Sequence, residues 1–379
     1  MTILFHGARK LDGHGEVDDF WMLVDGDTIT ATGSGRRDVP SATERIDVNG
    51  RWFVPGFLDL HCHGGGSHAF DDGPDEIASA LATHRAHGTT RSLLSLVANP
   101  VAQLRESLGV IADLVAVDPL VLGSHLEGPF LASSHRGAHN PEFLLEPTPF
   151  AVEELIGAAR GTLRQLTIAP ELPGALEAID VLVENEVTVA VGHSAATFEL
   201  TREAFDRGAR QLTHAFNGMP GIHHRAPGPV VAAFEDERVT IELILDGQHV
   251  HPDVAAMTFR AAPGRVALIT DAMAAAGASD GDYRLGSLNV TVRNGLAVLS
   301  GTSTIAGSTL TQDVALRLAI ERVGISPADA VAALTVTPAR ALGLDHRHGY
   351  LAPGYAADVV WLDHEWNVGQ VWANGRRIS

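Results

Sequence analysis

Residues 186–217 read EVTVAVGHSAATFELTREAFDRGARQLTHAFN. The apolar run VTVAV stops at Gly192 and His193, and the stretch TFELTREAFDRG then carries helical spacing and ends at a glycine, the common C-terminal stop of a helix. A second apolar run follows and ends at His214. Continuous apolar runs, rather than alternating ones, are what parallel strands buried on both faces require. The segment therefore reads as strand, helix, strand, with a histidine at the C-terminal end of each strand.

The same unit recurs on both sides. Upstream lie WFVPGFLDL (52–60), TTRSLLSLV (89–97), PLVLGSHLEG (119–128) and LRQLTIAPE (163–171); downstream lie TIELILDGQ (240–248) and VALITDAM (266–273). With the two runs above, that makes eight. Eight strand–helix units across residues 53–346 have the size of a (β/α)8 TIM-like barrel; on the pattern alone, a doubly wound open sheet is the alternative. Residues 1–52 and 347–379 differ. Their short alternating runs are broken by glycine and aspartate turns, and they predict a small β-sandwich domain formed by both chain termini. Within the barrel region, YRLGSLNVTVRNGLAVLS (283–300) predicts a hairpin turning at Asn294-Gly295.

In a barrel, the loops after the strands form the active face. His61 and His63 follow the first run, Glu127 the third, His193 the fifth, His214 the sixth, His249 the seventh and Asp271 the eighth. In DLHCHGGG (59–66), the two histidines are two residues apart, so both face the same way at the strand end, and Cys62 between them faces away. The glycines behind them let the backbone pass close to a bound metal or substrate. Lone histidines at strand ends are commonly structural, but four of them with Glu127 and Asp271 predict a metal site. Histidine and carboxylate donors suit zinc, iron, manganese or cobalt. His84, His87, His223, His224, His346 and His348 read as surface residues, Asp71 and Asp72 as a solvated turn, and Asp59 as a support for a histidine.

Bulk properties narrow the function. The 379 residues have a formal net charge of −19 and a mean hydropathy of +0.09. Such a surface repels nucleic acid and anionic membrane, and no apolar run is long enough to span a bilayer. One cysteine, Cys62, leaves no intramolecular disulfide, and the N-terminus lacks the pattern of a secretory signal; both predict a cytoplasmic protein. Lys10 is the only lysine, far in sequence from every motif above, which argues against Schiff-base, P-loop and carbamylated-lysine chemistry at the site. HGGG without a G-x-S-x-G elbow gives little support to a serine hydrolase.

The motifs PGFLDLHCHG, HLEGPF with GAHNP behind it, VAVGHS, THAFNGMPG, RAPG, DGQHV and ITDAM resemble the amidohydrolase superfamily and, within it, the N-acetylglucosamine-6-phosphate deacetylase family, over essentially the whole chain. The resemblance implies that Glu127, His193 and His214 are metal ligands, and that His61 and His63 occupy a position where some members hold a second metal. One or two divalent metals per subunit follow, zinc first among them, with Glu127 as the bridge. It further implies that Asp271 is the catalytic acid/base and that His139 polarises the substrate carbonyl. Asn217 and Gly218 would contact the phosphate and His249 the substrate. Arg225 would be a phosphate-binding arginine donated across a homodimer interface, so the expected partners are a phosphorylated amino sugar and a second copy of the chain. The stretch ITDAMAAAG departs from the family, which often has proline near the second alanine. Two rivals stand beside this reading: another metal-dependent hydrolase on the same fold, such as a deaminase or an acyl-amino-acid deacylase, and a non-catalytic metal-binding or sugar-phosphate sensor.

Overall fold

The structure, a computed structural model, describes residues 2–35, 37 and 39–379. Its chain divides into two compact units: residues 1–59, 84–91 and 312–379 form one, and residues 60–83 and 92–311 the other. The barrel and terminal-domain bounds drawn from the sequence thus cross the units at the first strand, at residues 84–91 and at the last helices.

The eight runs become one parallel sheet of eight strands in chain order: Phe57–Asp59, Thr89–Val97, Val121–Glu127, Leu163–Ile168, Thr188–Val191, Gln211–Leu212, Thr240–Ile244 and Val266–Ile269. Helices between the strands complete the (β/α)8 barrel. The second strand shows why the runs lack alternation: all nine of its residues are buried. The sheet closes just past its two end strands, where Asp271 N–H donates to His61 O at 2.8 Å and His63 N–H to Ala272 O at 2.8 Å. Some of the intervening helices start on sequence-readable caps. Thr197 accepts from the Leu200 N–H at the head of Phe198–Asp206, and Thr148 from Ala151 N–H ahead of Pro149–Ala159. Such a cap satisfies one of the amides that a helix start leaves open.

The first run splits at Gly56. Trp52–Pro55 joins a second, mixed sheet ordered Arg376–Arg377, Val368–Ala373, Val359–Leu362, Trp52–Pro55, Thr2–Asp12, Gly15–Asp25 and Thr28–Ser34, with Glu44–Asp47 also pairing to Thr2–Asp12. Phe5, Met22, Phe53 and Trp361 form part of its core. Lys10 is buried there against Asp12, with Nζ 2.8 Å from Oδ2. The predicted hairpin gains a third strand: Gly281–Leu285, Leu288–Arg293 and Leu296–Leu299 form an antiparallel meander turning at Asn294 and Gly295.

Several surface assignments change. His84 is buried at 2% exposure. The side chain of His348 is 13% exposed and lies 3.5 Å from the Asp358 carboxylate. Asp71 is half-buried and accepts from Asn99 Nδ2 at 3.2 Å; burial pushes its carboxyl up to about 6. Each sits in a segment whose local polarity suggested solvent, but which tertiary packing covers. The glycines after His63 also prove to have another use. A Cβ on Gly64 would lie 2.3 Å from His68 O, so glycine is what lets Gly64–Gly65 pair with His68–Ala69 in a tight two-stranded turn.

Candidate active site

Strand ends deliver the polar residues to one place. Glu127 closes the third strand, while His193, His214 and Asp271 each stand two residues past the fifth, sixth and eighth. Those last three have φ of 48°, 26° and 47°. Left-handed backbone is unfavourable for residues with a Cβ and clusters where the surrounding fold holds a functional geometry. Gly218 shows how tightly that geometry is enclosed: its φ is 60°, and a Cβ there would stand 2.8 Å from His193 Nδ1.

Glu127 is the hub. Its Oε1 lies 3.0 Å from His193 Nε2 and 2.8 Å from His214 Nε2; its Oε2 lies 3.2 Å from His63 Nε2 and 3.3 Å from His139 Nε2. His61 and His63 face each other with Nε2 atoms 3.0 Å apart, and Asp271 Oδ1 is 3.4 and 3.3 Å from those two nitrogens. All seven residues are buried.

For three of the histidines a hydrogen bond on the outer nitrogen sets whether the inner nitrogen carries a lone pair or a hydrogen. His193 Nδ1 lies 2.8 Å from the His135 carbonyl oxygen, so Nδ1 carries the hydrogen and Nε2 turns a lone pair toward Glu127. His61 Nδ1 lies 3.3 Å from Glu242 Oε2, which sets the same tautomer. His139 is reversed: its Nδ1 accepts from the Ala98 N–H at 3.2 Å, so its Nε2 carries the hydrogen and acts as a donor. Burial lowers the His139 imidazole to about 4, so it is neutral near pH 7. Thus, although Glu127, His139 and His193 are close enough to share an ion, His139 presents N–H rather than a lone pair.

The cluster is built for a cation. Burial raises the Glu127 carboxyl, but His61 and His139 beside it outweigh burial and hold it well below the usual range. Burial likewise lowers His63, yet Asp271 and Glu127 pull it up to about 9. Two carboxylates sealed from water among imidazoles leave negative charge in want of shared positive charge. The donor distances fit that need: with zinc–nitrogen bonds of about 2.0–2.1 Å, two imidazole nitrogens on one tetrahedral ion stand roughly 3.3 Å apart. Two donor sets meet on Glu127, one with His61 and His63 and the other with His193 and His214, and Asp271 stands beside the first.

These residues open onto a cavity of about 220 Å³. Asn217, Gly218 and His249 line it, and Leu285, Thr304 and Ile305 contribute to its wall. His249 Nδ1 is 2.7 Å from Asp246 Oδ2; burial lowers this imidazole, but the aspartate raises it more. Asn217 donates its side-chain amide to the carbonyls of His214 and Ala215. Arg225 is not brought to the cluster by its own chain. It is exposed and donates to His224 Nε2 at 2.7 Å. Cys62 is buried, its backbone N–H donating to Ser95 Oγ at 3.1 Å.

A second layer lies within the barrel beneath the cluster. His125, two residues before Glu127 on the same strand, contacts Ser95 Oγ and Thr167 Oγ1, each at 2.9 Å. Burial and the neighbouring His61 hold it well below the ordinary histidine range. Glu242 Oε1 accepts from Gln165 Nε2 at 2.7 Å. None of these was singled out from sequence. The signal available was a charged or polar residue in the middle of an apolar strand, as in TIELI and LGSHLE, where burial demands a partner.

A (β/α)8 barrel whose strand ends gather histidines and carboxylates into one donor cluster has the form of a metal-dependent hydrolase centre. The chain belongs to the amidohydrolase family, whose model matches residues 52–378. It is 40% identical to an N-acetylgalactosamine-6-phosphate deacetylase of Escherichia coli O157:H7, over the full length of both chains. It is 34% identical to the human N-acetylglucosamine-6-phosphate deacetylase, over 89% of this chain and 86% of the relative. Among solved structures, the N-acetyl-D-glucosamine-6-phosphate deacetylase of Mycobacterium smegmatis superposes with a TM-score of 0.94 at 42% identity, covering all of both chains.

Proposed function

We propose that the protein hydrolyses the acetamido bond of N-acetyl-D-glucosamine 6-phosphate, releasing acetate and D-glucosamine 6-phosphate, in amino-sugar catabolism and cell-wall recycling. The observation that carries the reading is the pairing of a sealed cation site with Asp271, an aspartate lining the same cavity. Burial raises the Asp271 carboxyl, but His61 and His63 bring it below its ordinary value, so it is ionised and able to take a proton. A sensor has no need of such a base beside its metal.

The ligands would be Glu127, His193 and His214 for one divalent ion and His61 and His63, sharing Glu127, for a second; zinc suits this nitrogen-rich set. When bound, such an ion supplies Lewis acidity and makes water acidic enough to attack at neutral pH. The protein's own residues do the rest. Asp271 takes the proton of the attacking water and later delivers it to the departing amine; the two transfers are sequential, so one carboxylate serves both. His139 directs its Nε2–H at the amide oxygen as charge develops there. His249 would bind the sugar, while Asn217 and Gly218 meet the phosphate.

Arg225 supplies the positive partner that a phosphate needs on a chain of net charge −19. It is exposed on a loop with His223 and His224. We infer that it completes the site of a second copy, making the enzyme a homodimer. Among the described residues no helix is long and apolar enough to cross a membrane, and the cytoplasm is the proposed location.

The relative named for the galactosamine sugar favours a second reading, in which the 4-epimer is the better substrate. Purified protein given each N-acetylhexosamine 6-phosphate, with acetate, ammonia and free amine measured, tests both. Acetate from the glucosamine substrate at the higher kcat/KM supports the first reading. A preference for the 4-epimer favours the second, and ammonia in place of acetate refutes both.

A further inference from the structure

We propose that Glu242 is a positioning residue for the metal centre: it fixes the tautomer of His61 and so controls filling of the His61/His63 position. The proposal rests on the two-metal reading given above. Glu242 stands in the middle of the seventh strand, Thr240–Ile244, with itself, Ile241 and Leu243 all at 0% exposure. Strand alternation turns the two aliphatic neighbours one way and the carboxylate the other. A carboxylate sealed at that depth requires partners, and those it has lead to the centre. Oε2 lies 3.3 Å from His61 Nδ1 and 3.4 Å from the His214 backbone nitrogen, and Oε1 accepts from Gln165 Nε2 at 2.7 Å. One side chain thus touches the imidazole of one donor set and the backbone of the other.

The consequence follows from imidazole chemistry. Neutral histidine carries one hydrogen, on either nitrogen. A carboxylate at Nδ1 keeps the hydrogen there and leaves the Nε2 lone pair for a metal, the arrangement that commonly raises a ligand's basicity. Packing of His61 against the His125 ring, with centroids 4.6 Å apart at 82°, orients the ring but does not choose the nitrogen. His63 has no such help: its Nδ1 has no hydrogen-bond partner among the described residues. Of the pair, His61 is therefore the member whose lone pair is set in advance.

The test is a zinc titration of metal-free protein against a chromophoric chelator. The parent should show two classes of site, the His61/His63 class being the one missing from the His61→Ala/His63→Ala double variant. Glu242→Met, similar in volume and unable to accept, should weaken that class about 10- to 100-fold and leave the other within about threefold. Glu242→Gln should recover most of the loss. Its amide oxygen can accept from His61 Nδ1–H, while its nitrogen donates to Gln165 Oε1 once the Gln165 amide turns over to exchange Nε2 for that oxygen, which has no partner among the described residues. If Glu242→Met leaves both classes unchanged, or lowers both equally with no recovery in Glu242→Gln, Glu242 does not position His61. A parent with a single class overturns the two-metal reading and this proposal together. The parent also serves if neither variant folds. In zinc-loaded protein labelled with 15N-histidine, the signal absent from His61→Asn should show hydrogen on Nδ1, and a bare Nδ1 refutes the proposal.

Discussion

His139→Ala separates two readings that the heavy-atom geometry alone leaves equal. The imidazole Nε2 stands 3.3 Å from Glu127 Oε2, which suits a ligand of a shared ion as well as a donor to a substrate oxygen. The Ala98 N–H at Nδ1 decides for the donor. A donor that meets developing charge in the transition state contributes about 3–4 kcal/mol, so removing it lowers kcat by roughly 10²- to 10³-fold. KM should move little, because the ground-state carbonyl attracts the same donor weakly. Metal content by elemental analysis should equal the parent's. The pH profile offers an independent check. Burial lowers His139 to about 4, so between about pH 5 and 8 it stays neutral and contributes no ionisation to kcat/KM; only below about pH 4 does its Nδ1 gain a proton and lose the Ala98 contact. The assay is initial-rate acetate release with metal stoichiometry measured on the same samples. Loss of one metal equivalent in His139→Ala would show that His139 is a ligand and that the tautomer argument is wrong.

Three further outcomes are expected. Asp271→Asn should keep the fold and bound metal while kcat falls by about 10²- to 10⁴-fold, the usual scale of acid–base work; mixing it with Arg225→Ala under subunit exchange should restore a fraction of parent activity, and no recovery in confirmed mixed dimers places Arg225 in its own subunit's site. His61→Ala with His63→Ala should remove at most one metal per chain, whereas His193→Ala should remove metal and activity together; loss of all metal in the double variant denies a separate second position. Asp358→Asn should destabilise the terminal unit by about 3–5 kcal/mol, the scale of a broken buried pair, because it strands Arg91, whose Nε and Nη2 reach the carboxylate at 2.7 and 3.1 Å. Burial raises Asp358, but His348 and Arg91 bring it down to about 2; an unfolded aspartate titrates near 3.9, so the contribution of this ionisation is full above about pH 5 and is lost as pH falls through about 2, and denaturant melts that show no such loss refute the pairing.

What the sequence made legible was set by where each residue sits relative to a strand. His193, His214 and Asp271 follow apolar runs directly, so chain order alone placed them on one face once eight runs had been counted. His61 and His63 were readable from spacing, because i and i+2 share a side in extended chain. The outer bonds were not readable. The Ala98 N–H at His139 Nδ1 and the His135 carbonyl at His193 Nδ1 come from a loop and a short 3-10 turn whose backbone direction no periodicity encodes. The interior layer failed for a different reason. Glu242, Gln165 and His125 sit inside runs whose apolar neighbours identified the strands, and a continuous buried run hides which residues face the barrel axis. That direction matters chemically. Glu242, an inward residue one layer below the strand ends, meets the outer nitrogen of His61 above it. At His61 the strand pattern that forms the barrel thereby also sets which nitrogen can give a lone pair, so the interior layer shapes that position as much as the residues that would touch the metal.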